Sequence, residues 1–232
     1  MCDFSRTERL IGKEKLNILK NSNVCLFGVG GVGGFTAEAL VRSGVGKLTV
    51  VDGDVVSPSN VNRQIIADNL TMNKSKVEVI KERLLNINPN LEINAVNLFY
   101  LPEVGDKIDL SKFDYVIDAI DTVTAKVDII SRCNDLNVNM ISCMGTGGKT
   151  DVEKLTVADI FSTKGCPLAR AMRSILRKKG IKQLKVVYSP EEYKCLDTED
   201  KTPCSMIFVP ASAGLMLART VVFDLIEIGE KR

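Results

Sequence analysis

The feature that most constrains the fold is a strand that runs straight into glycines. Residues 23–34 read NVCLFGVGGVGG, and Gly28, Gly30 and Gly33 fit the spacing G-x-G-x-x-G. Glycine at those places permits a tight turn, a close approach of backbone to phosphate, and close packing of the helix that follows. The free N–H groups of that helix then face the anion. A second apolar stretch, KLTVVD (47–52), ends in Asp52. It lies about 20 residues on, where an acid takes ribose hydroxyls. A glycine turn serving packing alone is the competing reading; the position between a strand and a helix disfavours it. The pair opens a nucleotide-binding sheet, and NAD and ATP enzymes share it.

The rest of the chain continues the alternation. A leading amphipathic helix is expected over 5–20, a second from Gly31 through FTAEALVRSG, a third from Lys74 to NINPN and a fourth over 124–137. Strands are expected at EINAV (92–96), YVIDAI (115–120) and NMISCM (139–144). Strands alternating with helices predict an α/β fold, a doubly wound, largely parallel, Rossmann-like sheet. After Gly145 the pattern changes: KLTVADI, LKVVYS and SMIFV suit further strands. ASAGLMLARTVVFDLIEIG suits a helix packing Leu215, Leu217, Val221, Val222 and Leu225. No linker intervenes, so 1–232 reads as one domain, with a nucleotide-binding core over 1–148 and a substrate-binding C-terminal elaboration over 149–232.

Apolar runs are broken by Gly, Pro or charge short of the roughly 20 residues a bilayer span needs. The segment MCDFSRTERLIGKEK has no apolar signal core. The expectation is a cytoplasmic protein with no integral membrane segment.

The chain has no histidine, which removes Ser–His and Cys–His catalysis and the commonest metal ligand. Seven cysteines stand at 2, 25, 133, 143, 166, 195 and 204 without a CxxC pair, so no zinc ribbon is encoded. Cys25 and Cys133 read as core residues; Cys195 and Cys204 flank a polar loop and admit a sulfur-transfer or redox role. Chemistry is left to carboxylates, Lys, Arg, Asn and backbone dipoles. The loop DGDVVSPSNVNRQI gathers Asp52, Asp54, Asn60, Asn62, Arg63 and Gln64. Hydride transfer has little use for Asn and Arg there, whereas a triphosphate is gripped by bidentate Arg and by uncharged Asn donors. Lys76 falls in the first turn of the next helix, where cation and helix dipole act on one anion. DAIDTV then brings Asp118 and Asp121 to the carboxyl edge of the sheet, where an acid can hold Mg²⁺ against phosphate oxygens; for Asp121 a helix N-cap is the alternative.

Between Asp159 and Glu191 there are eight Lys or Arg and no acid, which leaves the remainder of the chain with an acidic excess. Arg170, Arg173 and Arg177, with Lys178 and Lys179, form a cationic helix face opposite Leu168, Met172, Ile175 and Leu176. An ordinary solvated helix mixes signs; this one suits a polyanionic partner.

FGVGGVGG, VDGDVVSPSNVNRQI, KSKVEV with INP, and VIDAIDTVTAK together resemble the E1-like adenylating superfamily, from about Arg6 to Gly148. The resemblance implies a homodimer that adenylates a carboxylate with Mg·ATP. It implies Asp52 on the ribose, Asn60 and Arg63 on the phosphates, Lys76 near the α-phosphate and Asp121 on magnesium. Arg9, with Arg6 as second choice, would reach into the partner subunit's site. Sulfur-carrier activators in this superfamily typically carry two CxxC pairs, which are absent here. CPLARAMRSILRKKGI and FVPASAGLMLA look closer to the tRNA threonylcarbamoyladenosine dehydratase branch. That likeness implies adenylation of the t6A carboxylate at position 37 of tRNA, in the anticodon stem-loop. The carbamoyl group then closes on the activated carbonyl, giving cyclic t6A and AMP. Activation of a ubiquitin-like sulfur carrier is the alternative, and an idle nucleotide-binding scaffold a third reading that the intact Asp52, Arg63, Lys76 and Asp121 oppose.

Overall fold

The chain opens with two helices where its periodicity suggests one. In the computed structural model, which describes residues 3–196 and 204–230, α1 (Ser5–Ile11) and α2 (Lys13–Asn21) are parted at Gly12. Its φ of 89° lies where a side chain would be strained, so the helix turns there. Cys2 lies outside the described residues.

The expected alternation follows. β1 (Asn23–Phe27) leads through the glycines to α3 (Gly33–Ser43), then β2 (Lys47–Val51), α4 (Lys76–Ile87) and β3 (Glu92–Val96). The chain returns through β4 (Tyr115–Asp118), α5 (Val123–Leu136) and β5 (Met140–Cys143). β6 (Thr156–Asp159), α6 (Pro167–Lys178), β7 (Lys185–Tyr188) and α7 (Phe208–Glu230) complete it. All seven strands share one sheet, ordered β3-β2-β1-β4-β5-β7-β6, parallel throughout except for β6 against β7. SMIFV is not a strand: 205–207 are loop and Phe208 begins α7.

Alternation along each strand sends side chains to two faces. On β1, Val24 and Leu26 pack with Leu40 of α3, Ile80 of α4 and Val221 of α7. Cys25 and Phe27 face Ile129 and Cys133 of α5. A separate cluster joins α6, through Ala169, Met172 and Leu176, to Val186 of β7 and Ile130 of α5. α7 buries Val209, Ala213, Leu217, Val221, Val222 and Leu225, while Leu215 stays exposed, against expectation. Its stretch Phe208–Glu227 is, by length and composition alone, apolar enough to cross a membrane, which amends the sequence reading; 61% of it is buried inside the structure. That burial accounts for the apolarity: Thr36 of α3 donates to the Gly214 carbonyl (3.2 Å), and Asp224 takes hydrogen bonds from Tyr115 of β4 (2.6 Å) and Lys185 of β7 (2.5 Å).

The arrangement positions a cleft. β1 pairs with β2 on one side and β4 on the other. The chain winds outward from β1 to β3 and then back across to β4, so the carboxyl ends of β1 and β4 flank the point where the winding reverses. Open α/β sheets bind ligands there.

Candidate nucleotide site

A cleft of about 660 Å³ opens at this reversal point. Its floor is the glycine turn. Gly28 has a φ of 88°, and a Cβ on Gly33 would lie 1.8 Å from the Gly28 carbonyl oxygen, so no side chain fits at either place. At Gly30 a Cβ would meet only Gln64, at 3.9 Å, which leaves the backbone open to the cleft for a phosphate to approach.

Asp52 follows the end of β2, and its carboxylate is aimed by two backbone donors, Val29 N–H at 2.7 Å and Asp54 N–H at 2.9 Å. Lys76 is the first residue of α4 and is buried; its Nζ donates to Asp54 Oδ2 at 2.7 Å. Asn60 is buried, and its Oδ1 accepts from Ser57 N–H in a capping box around the short 3₁₀ turn Pro58–Asn60. Arg63 is held by the Ser59 carbonyl (2.7 Å) and Asn62 Oδ1 (2.9 Å). Gly28, Gly30, Asp52, Asn60, Arg63, Lys76 and Asp121 all line the cleft; Gly33 shapes it from beneath.

The two acids after β4 part company. Asp118 does not face the crevice. It is fully buried and binds Lys126 Nζ (2.8 Å), Ser142 Oγ (2.5 Å) and Ile120 N–H (3.2 Å). Lys126, equally buried, also donates to the Cys143 carbonyl at 2.8 Å, so the pair ties β4 to β5 under the cleft. Neither member is dispensable alone, since removing one leaves a buried charge without a partner. Asp121 is exposed in the cleft and has no side-chain partner among the described residues. Thr122, not Asp121, occupies the N-cap of α5, and no side chain caps it.

Sequence reasoning placed Gln64 in the site loop without a role and missed the other cleft residues that follow. Gln64 is buried and its Oε1 finds no partner among the described residues; a buried acceptor facing a cleft asks for a donor from a ligand. Phe99, exposed at the mouth, offers a flat apolar face. Across the cleft, the loop after β5 and the start of α6 contribute Met144, Thr146, Lys149, Pro167 and Leu168.

Arg9 lies elsewhere. It is exposed on α1, a helix that buries none of its residues, and it does not line the cleft. Arg170 and Arg177 are exposed on α6 with Lys178 and Lys179; Arg173 is half-buried and bonded to Thr163 Oγ1. The Arg177 guanidinium sits 5.2 Å above the Phe161 ring. Burial pushes the Cys25 thiol up and raises those of Cys133 and Cys143 to about 12, which suits inert core thiols. Cys204 is hydrogen-bonded to Cys195 and lies 3.6 Å from the Tyr193 hydroxyl.

A Rossmann-type sheet, a glycine cradle at its reversal point and cations facing the cleft define a nucleotide-binding protein of the phosphate-handling kind. The chain belongs to the ThiF family, whose model matches residues 4–209. It is 41% identical to the tRNA threonylcarbamoyladenosine dehydratase of Bacillus subtilis (strain 168), over 97% of this chain and 94% of that one. The solved structure of the E. coli tRNA N6-threonylcarbamoyladenosine dehydratase in complex with ATP superposes with a TM-score of 0.92 at 30% identity, covering 99% of this chain and 96% of that one. The molybdopterin-synthase adenylyltransferase of Haemophilus influenzae is 37% identical, but over only 56% of this chain and 52% of its own.

Proposed function

We propose that this protein is an ATP-dependent tRNA threonylcarbamoyladenosine dehydratase. It adenylates the threonyl carboxylate of t6A in the tRNA anticodon stem-loop and closes the product to cyclic t6A with release of AMP. The observation that carries this reading is the meeting, in one cleft, of the glycine turn, Asp52, Arg63, Lys76 and Asp121, with the cleft's far end at the start of the basic helix α6. Residues 1–148 supply the nucleotide half and 149–232 the substrate half. The carrier-activating alternative is disfavoured by the short reach of its relatives along this chain.

In the first step a carboxylate oxygen attacks the α-phosphorus and pyrophosphate leaves; in the second the carbamoyl group attacks the acyl carbon and AMP leaves. The substrate carries its own nucleophiles, so a chain without histidine suffices. The protein's work is positioning and charge. Asp52, already oriented by two N–H groups, takes the ribose. Asn60, Arg63 and Lys76 take the phosphates, Lys76 exchanging Asp54 for a phosphate oxygen. Phe99 covers the base. Asp121 is the one carboxylate in the cleft without a partner among the described residues, and no cluster of three potential ligands exists among them. That donor set fits Mg²⁺, which is commonly held by one or two carboxylates plus substrate phosphates. Bound there, Mg²⁺ supplies charge neutralisation at the phosphate oxygens. Nothing in the reaction calls for sulfur, so the sulfur-transfer role open to Cys195 and Cys204, and any partner protein for it, has no step in it. A tRNA substrate is in keeping with the cytoplasmic location expected from the sequence.

The direct test is to incubate the purified protein with t6A-containing tRNA and Mg·ATP, then digest and weigh the nucleosides. The modified nucleoside should lose one water, with AMP and pyrophosphate formed in step. Calorimetry should give micromolar Mg·ATP binding, about −8 kcal/mol. Binding NADH more tightly than ATP, with no water lost, overturns the reading.

We also propose that the active unit is a homodimer in which Arg9 reaches the partner subunit's cleft. Its support is the exposed helix α1, with Leu10 82% exposed, and the absence of Arg9 from the lining of its own cleft. Mixing two inactive proteins, Arg9→Ala and Asp121→Asn, should restore activity, because one of the two sites in a mixed dimer is whole. No recovery at any ratio removes Arg9 from the site.

A further inference from the structure

Lys149 is a cation whose surroundings do not explain it. It follows β5 in the loop Gly145–Thr150, is only 4% exposed, and lines the cleft. Its Nζ donates to the Ser189 carbonyl, just beyond β7, at 2.6 Å. It forms no ion pair among the described residues. The nearest acid, Glu191, is turned to other donors: its carboxylate accepts from Thr150 N–H and Oγ1 at 3.2 Å and from Asp151 N–H at 3.0 Å. An ammonium has three protons to donate, and a buried charge that is neither paired nor fully hydrogen-bonded is costly. Such a group persists where a ligand completes it.

Its place in the sheet says which part of the ligand. The glycine turn ends β1 and the Asp121 segment follows β4. Lys149 follows β5, two strands across from β1. With neighbouring strands about 4.8 Å apart, the separation is roughly 10 Å. The phosphates occupy the β1 and β4 side, with Arg63 and Lys76. The β5 side is lined by Met144, Gly145, Thr146 and the first residues of α6, Pro167 and Leu168. This half is largely apolar, its polar side chains being Thr146, Lys149 and Tyr193, whose ring packs against Gly148, and it adjoins the helix that bears the basic face. A substrate arriving along α6 reaches Lys149 before it reaches ATP.

We propose that Lys149 binds the acyl end of the tRNA substrate: it holds the threonyl carboxylate for attack on the α-phosphorus and stays at the carbonyl oxygen while the ring closes. This rests on the dehydratase reading above and names the residue that reads its second substrate. A carboxylate brought toward a triphosphate meets like charge, and a fixed ammonium behind it offsets that repulsion and fixes its direction. When the carbamoyl group attacks the acyl carbon, the carbonyl oxygen becomes an oxyanion at the same place. Charge there is stabilised by a donor already in position. Lys149 keeps its protons throughout. The bond formed joins carbamoyl to acyl carbon, the bond broken releases AMP, and the carbamoyl proton leaves to solvent.

The role requires the charged form. Burial lowers the Lys149 pKa, opposed by the nearby Cys166 at the start of α6, Glu191 beyond β7 and Cys143 of β5. Activity should therefore fall on the alkaline side at a pH below the usual lysine range. Two variants test this, each assayed with t6A-containing tRNA for single-turnover AMP formation and, separately, for ATP binding by calorimetry. Lys149→Met keeps the length and removes the charge: AMP formation should fall by about 10²-fold, with the ATP dissociation constant within about twofold of wild type. Lys149→Arg should recover most of that loss and carry the alkaline limb upward, since a guanidinium does not deprotonate in this range. A Lys149→Met protein that turns over like wild type, or a Lys149→Arg protein with an unmoved alkaline limb, overturns the proposal. Because wild-type turnover is measured alongside, failure of the dehydratase reading shows separately, as a wild-type protein that forms no AMP from t6A-containing tRNA.

Discussion

Asp121→Asn is expected to lower AMP formation by about 10³-fold while leaving the fold and its melting temperature unchanged. The side chain is exposed and has no partner among the described residues, so its replacement by an amide of the same shape should move stability by no more than about 0.5 kcal/mol. What the amide lacks is the charge that would hold Mg²⁺ against the phosphates, and electrostatic groups of this kind are worth about 10²–10³ in rate. The N-cap position that competed for this residue belongs to Thr122, and Asp121 makes no capping hydrogen bond, so near-normal turnover in Asp121→Asn would leave the acid without any role. Arg63→Ala and Lys76→Ala should each cost about 10², but not in the same way. Lys76 is paired with Asp54 at 2.7 Å. Its removal loses a cation and also frees an acid beside the phosphates, so ATP affinity should suffer more than in Arg63→Ala. Pyrophosphate exchange against ATP concentration separates the two: Lys76→Ala should raise the half-saturating concentration further.

These residues were legible because their spacing along the chain is local. The glycines are fixed by one turn, Asp52 by the end of the next strand, Lys76 by the start of a helix, and Asp121 by the edge of β4. Each follows from one element and its boundary. The sheet was legible for the same reason: strands at 92–96 and near 115–118 alternate cleanly with helices, and the glycine turn fixes the direction of the first crossover. What failed depended on distant packing. Asp118 looks like a second cleft acid until Lys126 and Ser142, from α5 and β5, are folded over it. Lys149 sits in a glycine-rich loop whose importance appears only when β5 is placed two strands from β1. SMIFV has the composition of a strand, but Phe208 and Val209 begin α7, where Val209 is buried in the main core. Leu215 falls on the outer side of that helix although its neighbours suggest a core residue. Gly12 breaks the first helix through one dihedral angle that apolar periodicity does not register.

The basic face of α6 should contribute the largest single loss of tRNA affinity. Arg170 and Arg177 are exposed, and Arg173 is partly drawn in toward Thr163. The Arg177 guanidinium stacks on Phe161, a contact that orients the charge without neutralising it. The helix is anchored by Ala169, Met172 and Leu176 beneath, so its cations are presented from a rigid support. Contacts of this kind position a nucleic-acid backbone without reading its sequence, and they release counterions. Replacing Arg170, Arg173 and Arg177 by Glu should therefore weaken tRNA binding by about 10²–10³ near 0.1 M salt. It should also flatten the slope of log K against log salt by roughly 2–3, one phosphate per arginine. Gln at the same three places should fall between, since it removes attraction without adding repulsion. ATP binding should not change, because only Cys166, Pro167 and Leu168 of this region line the cleft. Filter binding of t6A-containing tRNA across a salt series measures both quantities at once. If the triple Glu protein binds tRNA as wild type does, the backbone lies on another face. If wild type binds no tRNA and instead adenylates the C-terminus of a small carrier protein, the cleft serves that carboxylate and the cations of α6 meet an acidic protein surface.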